Sequence, residues 1–151
     1  MIQEITQNKL SYAKILCESD PNINLVNDYL REGQLFAYFY HQIPVSFIVI
    51  QQVDNDTIEI KNLLTIDTYR GHGFAWQLIQ YIENRFQDIP RIIVATANSS
   101  MFNMSFYTKL GYHYCYKINN YFIDNYPQEI YENGIQAIDL MYFEKNRYLF
   151  N

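Results

Sequence analysis

The residues best suited to chemistry form a glycine-rich stretch, residues 69–75 (YRGHGFA), where a β-type segment, residues 57–66, gives way to an amphipathic helix. The start of a helix leaves several backbone N–H groups without partners, and the helix dipole adds partial positive charge there. Arg70 supplies a full positive charge, while Gly71 and Gly73 let a ligand approach the backbone closely. This combination suits a phosphate group.

Two glycines at this spacing are also typical of an ordinary loop. The stretch fits neither of the common nucleotide motifs, because G-x-G-x-x-G needs a third glycine and the Walker loop needs Gly-Lys-Ser/Thr. Residues 70–75 do resemble Arg/Gln-x-x-Gly-x-Gly/Ala, the loop that binds the acyl-CoA pyrophosphate in the GNAT superfamily of N-acetyltransferases. The resemblance implies cofactor contacts from the whole loop: Arg70, Gly71, His72, Gly73, Phe74 and Ala75.

A second motif follows in the order that the family has it. Residues 98–100 (NSS) and 106–112 (FYTKLGY) resemble the family's Asn…Phe-Tyr-x-Lys-x-Gly-Phe/Tyr helix and exit turn, so the resemblance covers residues 35–145. It implies cofactor contacts from three polar residues: Asn98, Ser100 and Asn103. An ordinary helix cap would place Asn98 and Ser100 at the same positions.

The family likeness also implies a donor strand and a base. Backbone groups of Leu63, Leu64 and Thr65 are expected to bind the pantetheine arm and the thioester oxygen. A lysine-like amine with a pKa of about 10.4 is mostly protonated near neutral pH, a handicap of roughly 4 kcal/mol that a general base reduces. Glu59 matches the glutamate base of some members; the alternative is a glutamate on a solvated strand face.

Tyr107 matches the family tyrosine that faces the CoA sulfur. Full proton transfer from a phenol of pKa about 10 to a thiolate of pKa about 8.5 is uphill by roughly 2 kcal/mol, so a hydrogen bond to the leaving sulfur is the expected role. A packing role is the alternative. Helical spacing predicts that Tyr107 shares a face with Asn103, and that Phe102, Phe106 and Leu110 form the core-facing stripe.

Three positions depart from the common family pattern without changing the cofactor prediction. Ala75 replaces a final Gly, which the pattern permits, Asn103 stands where many members have Ala, and Ser46 stands where a Gly often opens the third strand.

The segment 122–134, followed by Asp139, resembles a small GNAT subgroup that shares Tyr-Pro-x-x-Ile-x-Glu-Asn-Gly, some members of which carry an indole-acetate acetyltransferase label. In this family the loop between the last strands often covers the acceptor site. Asp124, Glu129 and Glu132 would then attract a cation. In the simpler interpretation residues 133–134 (NG) form a type I′ hairpin turn and the acids are solvated.

Composition predicts one globular domain spanning residues 1–151, with 49% hydrophobic and 18% charged residues. The net charge of −5, without a basic cluster, argues against nucleic-acid binding. No signal-peptide pattern or membrane-length apolar run is visible, so we expect a cytoplasmic protein that contacts no membrane. Cys17 and Cys115 read as reduced thiols, and the cysteines and histidines lack the spacing of a metal site.

Hydrophobic patterning predicts strands at residues 2–6, 35–40, 45–53, 57–65, 91–96, 112–122 and 135–144. Helices are predicted at 8–18, at 21–31 with Asp20 as cap and Gly33 as stop, from 74 to before Pro90, and at 101–110 with a serine cap and Gly111 as stop. This order gives an α/β (α+β) fold. With the family likeness, we expect a GNAT-like, mixed but mostly antiparallel sheet of about six to seven strands, with a central β-α-β acyl-CoA-binding unit and helices on both faces.

The function implied is transfer of the acetyl group of acetyl-CoA, as cosubstrate and without a metal, to a primary amine of a small molecule or peptide, directly in a ternary complex. The alternative is a catalytically silent acyl-CoA-binding regulatory module, and a structural protein whose loop binds nothing ranks last. The sequence leaves the acceptor amine open, and it leaves both a monomer and a homodimer open.

Overall fold

The computed structural model describes residues 1–147. The chain forms two compact units, the first comprising Met1–Ile89 and the second beginning at Pro90. Within the described residues a seven-stranded, mostly antiparallel sheet is accompanied by helices, so the predicted fold class is confirmed. None of the helices in this part of the chain is long and apolar enough to cross a bilayer.

The first unit has four antiparallel strands, each paired with the next along the chain. These strands are β1 (Ile2–Ile5), β2 (Gln34–Tyr40), β3 (Ile43–Asp54) and β4 (Thr57–Thr65). Its helices are α1 (Ala13–Leu16), which follows a 3-10 turn at Lys9–Tyr12, then α2 (Ile23–Glu32), and α3 (Phe74–Arg85), which follows a 3-10 turn at Asp67–Tyr69.

Helices cover both faces of this four-stranded part. On one face α1 and α2 pack on the strands through a buried cluster that includes Leu16, Val26, Leu30, Leu35, Phe47, Val49 and Leu64. On the other face α3 buries Phe74, Leu78, Ile79 and Ile82. There Phe36 of β2 contacts Tyr81, with ring centroids 5.6 Å apart. Burial on both faces holds β4 in place up to Thr65, the point where the glycine-rich loop begins.

The pairing of β3 with β4 contains a bulge. Val49 lies opposite Asn62 and Ile50 lies opposite Ile60, so Lys61 is an extra residue on β4. Because of this extra residue, the side chains of β4 before Lys61 lie on the opposite face of the sheet from the one they would occupy in a regular strand.

The second unit is built around three antiparallel strands, with β9 (Leu140–Asn146) between β5 (Arg91–Ala97) and β6 (His113–Ile118). It also contains α4 (Met101–Lys109), the short α5 (Tyr121–Asn125), and a small hairpin of β7 (Tyr131–Glu132) and β8 (Ile135–Gln136). Asn133 and Gly134 both have positive φ, 52° and 81°, as a type I′ turn requires, so this predicted turn is confirmed.

Several predicted boundaries were wrong for local reasons. The first predicted helix is broken, because Asn8 has a left-handed conformation with φ of 56° and only Ala13–Leu16 is α-helical. The cap of α2 is Asn22, whose side chain accepts a hydrogen bond from Leu25 N at 3.2 Å, and not Asp20. The predicted strand 112–122 ends early, because Asn120 is left-handed with φ of 58° and α5 begins after it.

The predicted helix stop at Gly33 is confirmed and has a steric cause. Its N–H donates to Tyr29 O at 2.8 Å. A Cβ at this position would lie 2.3 Å from Ile50 O and 2.7 Å from Tyr29 O, so only glycine fits between α2 and β3.

Candidate active site

The glycine-rich loop forms an uncapped helix start. Gly71 and Gly73 have φ of +83° and +80°, and a Cβ added at either would meet nothing within 4 Å. No described side chain caps α3 at Gly73, and the first intrahelical bond runs from Gln77 N to Gly73 O. The N–H groups of Phe74, Ala75 and Trp76 therefore have no acceptor inside the helix. They form an open, electropositive cradle of the kind that binds anions.

Arg70 lies beside this cradle on an exposed turn. Its Nε donates to Thr65 O at 3.3 Å, and its Nη1 lies 3.3 Å from Asp67 Oδ1. Both partners of this ion pair are mostly exposed, so the pair contributes little and is easily exchanged for a stronger anion such as a phosphate.

The two aromatic residues of the loop differ in burial. Phe74 is buried and stacks on Tyr38 with ring centroids 4.4 Å apart, so it anchors the helix start to β2. His72 is exposed, 5.8 Å from the Phe74 ring. Ala75, next in the helix, is half-buried. Phe74 is therefore foremost a packing residue, and contact of the loop side chains with a cofactor stays a prediction.

The end of β4 directs its backbone groups in two directions. Ile66 N donates to Val45 O at 2.8 Å, which fixes the alternation of the β3–β4 ladder. By this alternation the N–H and C=O of Leu64 point toward β3, whereas those of Leu63 and Thr65 point away from β3. Within the predicted donor segment, Leu63 and Thr65 therefore have backbone groups that are not directed at β3, and their contact with a cofactor stays a prediction.

Glu59 lies in β4 and is buried. The alternative interpretation, a glutamate on a solvated strand face, is therefore wrong. Glu59 is only 9% exposed, and its Oε1 lies 3.4 Å from Lys61 Nζ. Burial raises the pKa of Glu59, and the attraction of Lys61 opposes that rise. A carboxyl group in this setting is a better proton acceptor than a solvated one.

Tyr107 is the buried residue of α4, in the second unit. Its ring lies edge-on to Phe106 and Tyr112, with centroids 5.4 and 6.1 Å away. Burial raises its pKa, so the hydroxyl remains protonated. The predicted core stripe was wrong, because Phe102 is 80% exposed.

Three polar residues of this unit are predicted to contact the cofactor, and each forms hydrogen bonds within the protein. The first of them is Asn98. Asn98 Oδ1 accepts from Ile138 N at 2.7 Å and from Asp139 N at 3.1 Å, and Nδ2 donates to Gln136 O at 3.2 Å. This tie joins the end of β5 to the segment before β9, and a cofactor contact from Asn98 stays a prediction.

Ser100 is at the N-cap of α4, as predicted, but its side chain does not cap the helix. Its Oγ donates to Glu132 Oε1 at 2.6 Å, and Ser99 Oγ reaches the same oxygen at 3.3 Å. Asn103 Nδ2 donates to Thr96 Oγ1 at 3.3 Å. Glu132 is therefore a hydrogen-bond acceptor for two serines and not only a solvated acid. The cofactor contacts of Ser100 and Asn103 stay predictions.

The sequence analysis gave Asn62 no role and did not identify the hydrogen-bond partners of Glu132. Asn62 is 5% exposed in β4 and is fully hydrogen-bonded to α1 and α2. Glu132 was considered only as a cation attractor or a solvated acid. Asn62 directly follows the polar residue Lys61 in β4 and gave no distinct signal, and the serine partners of Glu132, more than 30 positions away in the sequence, gave none in the local pattern.

Neither cysteine has the environment of a nucleophile. Both are free and half-buried, and burial raises the pKa of each thiol. Within the described residues, no three His, Cys, Asp or Glu side chains are grouped so as to hold a metal.

An uncapped helix start after two left-handed glycines is suited to an anion such as the pyrophosphate of a coenzyme. The family model for the acetyltransferase (GNAT) family matches residues 4–112, and the chain belongs to this family. The predicted family and enzyme class are thereby confirmed.

Relatives agree with this assignment. The chain is 26% identical over 129 residues to YvbK of Bacillus subtilis (strain 168), named as an uncharacterized N-acetyltransferase, covering 84% of this chain and 83% of the relative. It is similar to a GNAT family acetyltransferase from Elizabethkingia anophelis with acetyl-CoA bound, with 27% identity, a TM-score of 0.91 and 97% of each chain covered. A Bacillus subtilis acetyltransferase in complex with CoA gives 25% identity and a TM-score of 0.88, covering 96% of this chain and 97% of the other.

Proposed function

We propose that this protein transfers the acetyl group of acetyl-CoA to a primary amine of a small molecule or peptide, directly in a ternary complex. The observation that carries the proposal is the glycine-rich loop, in which Gly71 and Gly73 leave three backbone N–H groups of α3 open. Support comes from the bound acetyl-CoA and CoA of the Elizabethkingia anophelis and Bacillus subtilis acetyltransferases.

The loop fits a pyrophosphate in both space and charge. No Cβ obstructs approach at either glycine, the open N–H groups of Phe74, Ala75 and Trp76 can each donate, and Arg70 adds a full positive charge at the same turn. In the proposed role Arg70 exchanges its exposed partner Asp67 for a phosphate oxygen.

Acetyl-CoA supplies the acetyl group as an activated thioester. The backbone groups of Leu63 and Thr65 point away from β3, and we propose that they hold the pantetheine amides and stabilise the developing oxyanion. A backbone donor aimed at an oxyanion contributes about 3 kcal/mol where water is excluded.

Glu59 is proposed as the general base. An ammonium acceptor must lose a proton before its nitrogen lone pair can attack the acetyl carbon, and Glu59, directly or through one water, takes that proton. Burial makes its carboxylate a stronger base, and the ion pair with Lys61 favours its ionised form. As the carbon–sulfur bond breaks, the attacking nitrogen releases its remaining extra proton to solvent, and the products are the neutral N-acetylated amine and the CoA thiolate.

Tyr107 is proposed to stabilise the departing sulfur. Since burial raises its pKa, the phenol keeps its proton and acts as a hydrogen-bond donor to the thiolate, which later takes a proton from solvent. The Tyr107→Phe variant retains the ring packing and removes only the donor. We expect its kcat to fall by more than about threefold; a smaller change would assign Tyr107 to packing.

The acceptor is assigned only as a primary amine. Antibiotic amines, polyamines, amino acids and protein N-termini are the four classes to compare. The decisive experiment is acetyl-CoA-dependent thiol release by the purified protein across that panel, with acetyl-CoA binding measured in parallel by calorimetry.

Saturable release with one class is the expected result, and it identifies the acceptor type. The matched control is Glu59→Gln, which should retain acetyl-CoA binding and lose about a hundredfold in turnover. Binding without release for any class would overturn the enzymatic proposal in favour of an acyl-CoA-binding module. Absence of both would refute the cofactor site itself.

A further inference from the structure

The side chain of Asn62, in the middle of β4, is fully used in buried hydrogen bonds. Nδ2 donates to Leu16 O at 3.1 Å and to the Tyr29 hydroxyl at 2.8 Å, while Oδ1 accepts from Ser19 Oγ at 2.7 Å. Because both amide hydrogens and the oxygen are engaged, the amide has one orientation. Asn62 thereby ties β4 to the end of α1 and to α2.

The hydrogen-bond network of Asn62 continues through Tyr29 to Asp20 and the start of α2. The Tyr29 hydroxyl donates to Asp20 Oδ2 at 3.1 Å, and Asp20 Oδ1 accepts from the backbone N–H of Asn22, the cap of α2, at 3.2 Å. The partners of Asn62 are thus themselves fixed, so that displacement of Asn62 would disturb several bonds at once.

Asn62 directly follows Lys61, the extra residue of the β4 bulge. In a regular strand Glu59 and Asn62, three residues apart, would face opposite sides of the sheet. Here Asn62 opposes Val49 and Glu59 opposes Gln51, and these two β3 residues share a face. The bulge therefore places Glu59 on the same face as Asn62, which is the face covered by α1 and α2.

We propose that Asn62 is a positioning residue for Glu59. Its amide holds the bulge against α1 and α2 and so keeps the Glu59 carboxylate on that face, oriented toward the acceptor amine. If the bulge is lost, the register moves by one residue and the carboxylate turns to the other face. The inference rests on the proposed function, because the role of Glu59 as base gives the positioning its catalytic consequence.

The Asn62→Leu variant is suited to the test because it removes the amide at nearly constant volume. Ser19 Oγ also lies 3.2 Å from Leu16 O, and the Tyr29 hydroxyl keeps Asp20, so neither hydroxyl is left without a partner. The unit should therefore fold. Ser19→Ala, which removes a single bond to Asn62, is a milder second variant.

With the acceptor found in the panel, we expect Asn62→Leu to lower kcat about tenfold while KM for acetyl-CoA stays within about twofold, because orientation of the base is lost and the cofactor loop is untouched. Ser19→Ala should lower kcat in the same direction by less. In a Glu59→Gln background, Asn62→Leu should have no further effect.

Thr57→Val is the matched control, a buried polar residue of the same strand that lies before Glu59 and outside the network. It should change thermal stability without changing kcat. If Thr57→Val lowers kcat as much as Asn62→Leu, or if the effects of Asn62→Leu and Glu59→Gln multiply, the positioning role is refuted.

A measurement without turnover separates this inference from the proposed function. The carboxyl carbon of Glu59 is followed by ¹³C NMR during a pH titration, with the resonance assigned by its loss in Glu59→Gln. We expect Asn62→Leu to move the midpoint by about half a pH unit or more, and Thr57→Val to leave it in place. An unmoved midpoint in Asn62→Leu overturns the inference, even in a protein that acetylates nothing.

Discussion

Gly73 and Gly134 have nearly the same backbone conformation, with φ of +80° and +81°, and open space where a Cβ would stand. An alanine at either position should cost about 1 kcal/mol of stability through left-handed strain. Only at Gly73 would the methyl group intrude on the proposed phosphate site. We therefore expect Gly73→Ala to weaken acetyl-CoA binding about tenfold or more, and Gly134→Ala to leave it unchanged.

Isothermal titration calorimetry with acetyl-CoA checks this pair, and urea unfolding verifies that both variants are equally strained. Equal affinity for acetyl-CoA in both variants would mean that the loop does not receive the phosphates.

The ion pair of Glu59 with Lys61 predicts a pH dependence. Burial raises the pKa of Glu59 and Lys61 lowers it, so Lys61→Met should raise it further. A general base works only above its own pKa. The acid limb of the kcat/KM profile should therefore move to higher pH in Lys61→Met, with activity lost first at the acid end.

Lys117→Met is the charge-matched control. It removes the same positive charge from a lysine that pairs with Asp139 in the second unit. Its profile should coincide with that of the wild type. If both variants shift the acid limb alike, the effect comes from net charge and not from Glu59.

Single residues were predictable from the sequence where their role depends on the local backbone. Gly73 and Gly111 have the positive φ expected of a helix start and a helix stop. The surroundings of Glu59 were not predictable, because its burial depends on a bulge that arises from pairing with β3 and from hydrogen bonds to α1 and α2. Sequence periodicity contains no information on such partners.

At the scale of elements, the β7–β8 hairpin is anchored to the start of α4 by one carboxylate oxygen. Glu132 Oε1 accepts from Ser99 and Ser100, whose residues are 0% and 5% exposed. Glu132→Ala removes the acceptor and leaves two buried hydroxyls unpaired, so we expect a loss of about 1–3 kcal/mol in the free energy of unfolding. Urea denaturation measures it.

Glu129→Ala is the comparison on the same segment, since within the described part of the chain Glu129 accepts a side-chain hydrogen bond only from the exposed Tyr131 hydroxyl. Its cost should stay below about 0.5 kcal/mol. Glu132→Gln retains a carbonyl acceptor and should fall between the two. An equal effect of the two alanine variants would show that the serine bonds do not anchor the hairpin.

Elements with strong period-two or helical patterns were predicted well, and weakly patterned ones were not. The prediction for β4 matches its observed bounds, Thr57–Thr65, and α3 begins at Phe74 as expected. The short α5 was missed because five residues give no measurable periodicity. The face of α4 was misjudged because its apolar residues surround the helix, so that burial of Tyr107 is decided by the surrounding fold.

For the whole molecule, the sequence predicts one domain, and this stays a prediction. The described structure contains two compact units that meet in the chain at Ile89 and Pro90. The family model matches residues 4–112 and therefore crosses this boundary. A family domain that spans both units is expected to unfold in a single cooperative transition.

The Gly33→Ala variant tests that expectation, because its added Cβ would lie 2.3 Å from Ile50 O and the clash is confined to the first unit. It should lower the free energy of unfolding by about 3 kcal/mol. Urea unfolding is followed by the fluorescence of Trp76, in the first unit, and by the NMR amide signal of Val94, in the second. Cooperative unfolding requires both probes to shift to the same lower midpoint in Gly33→Ala, because destabilising any part of one domain destabilises all of it. If the Trp76 midpoint moves and the Val94 midpoint stays, the chain consists of two independently stable domains.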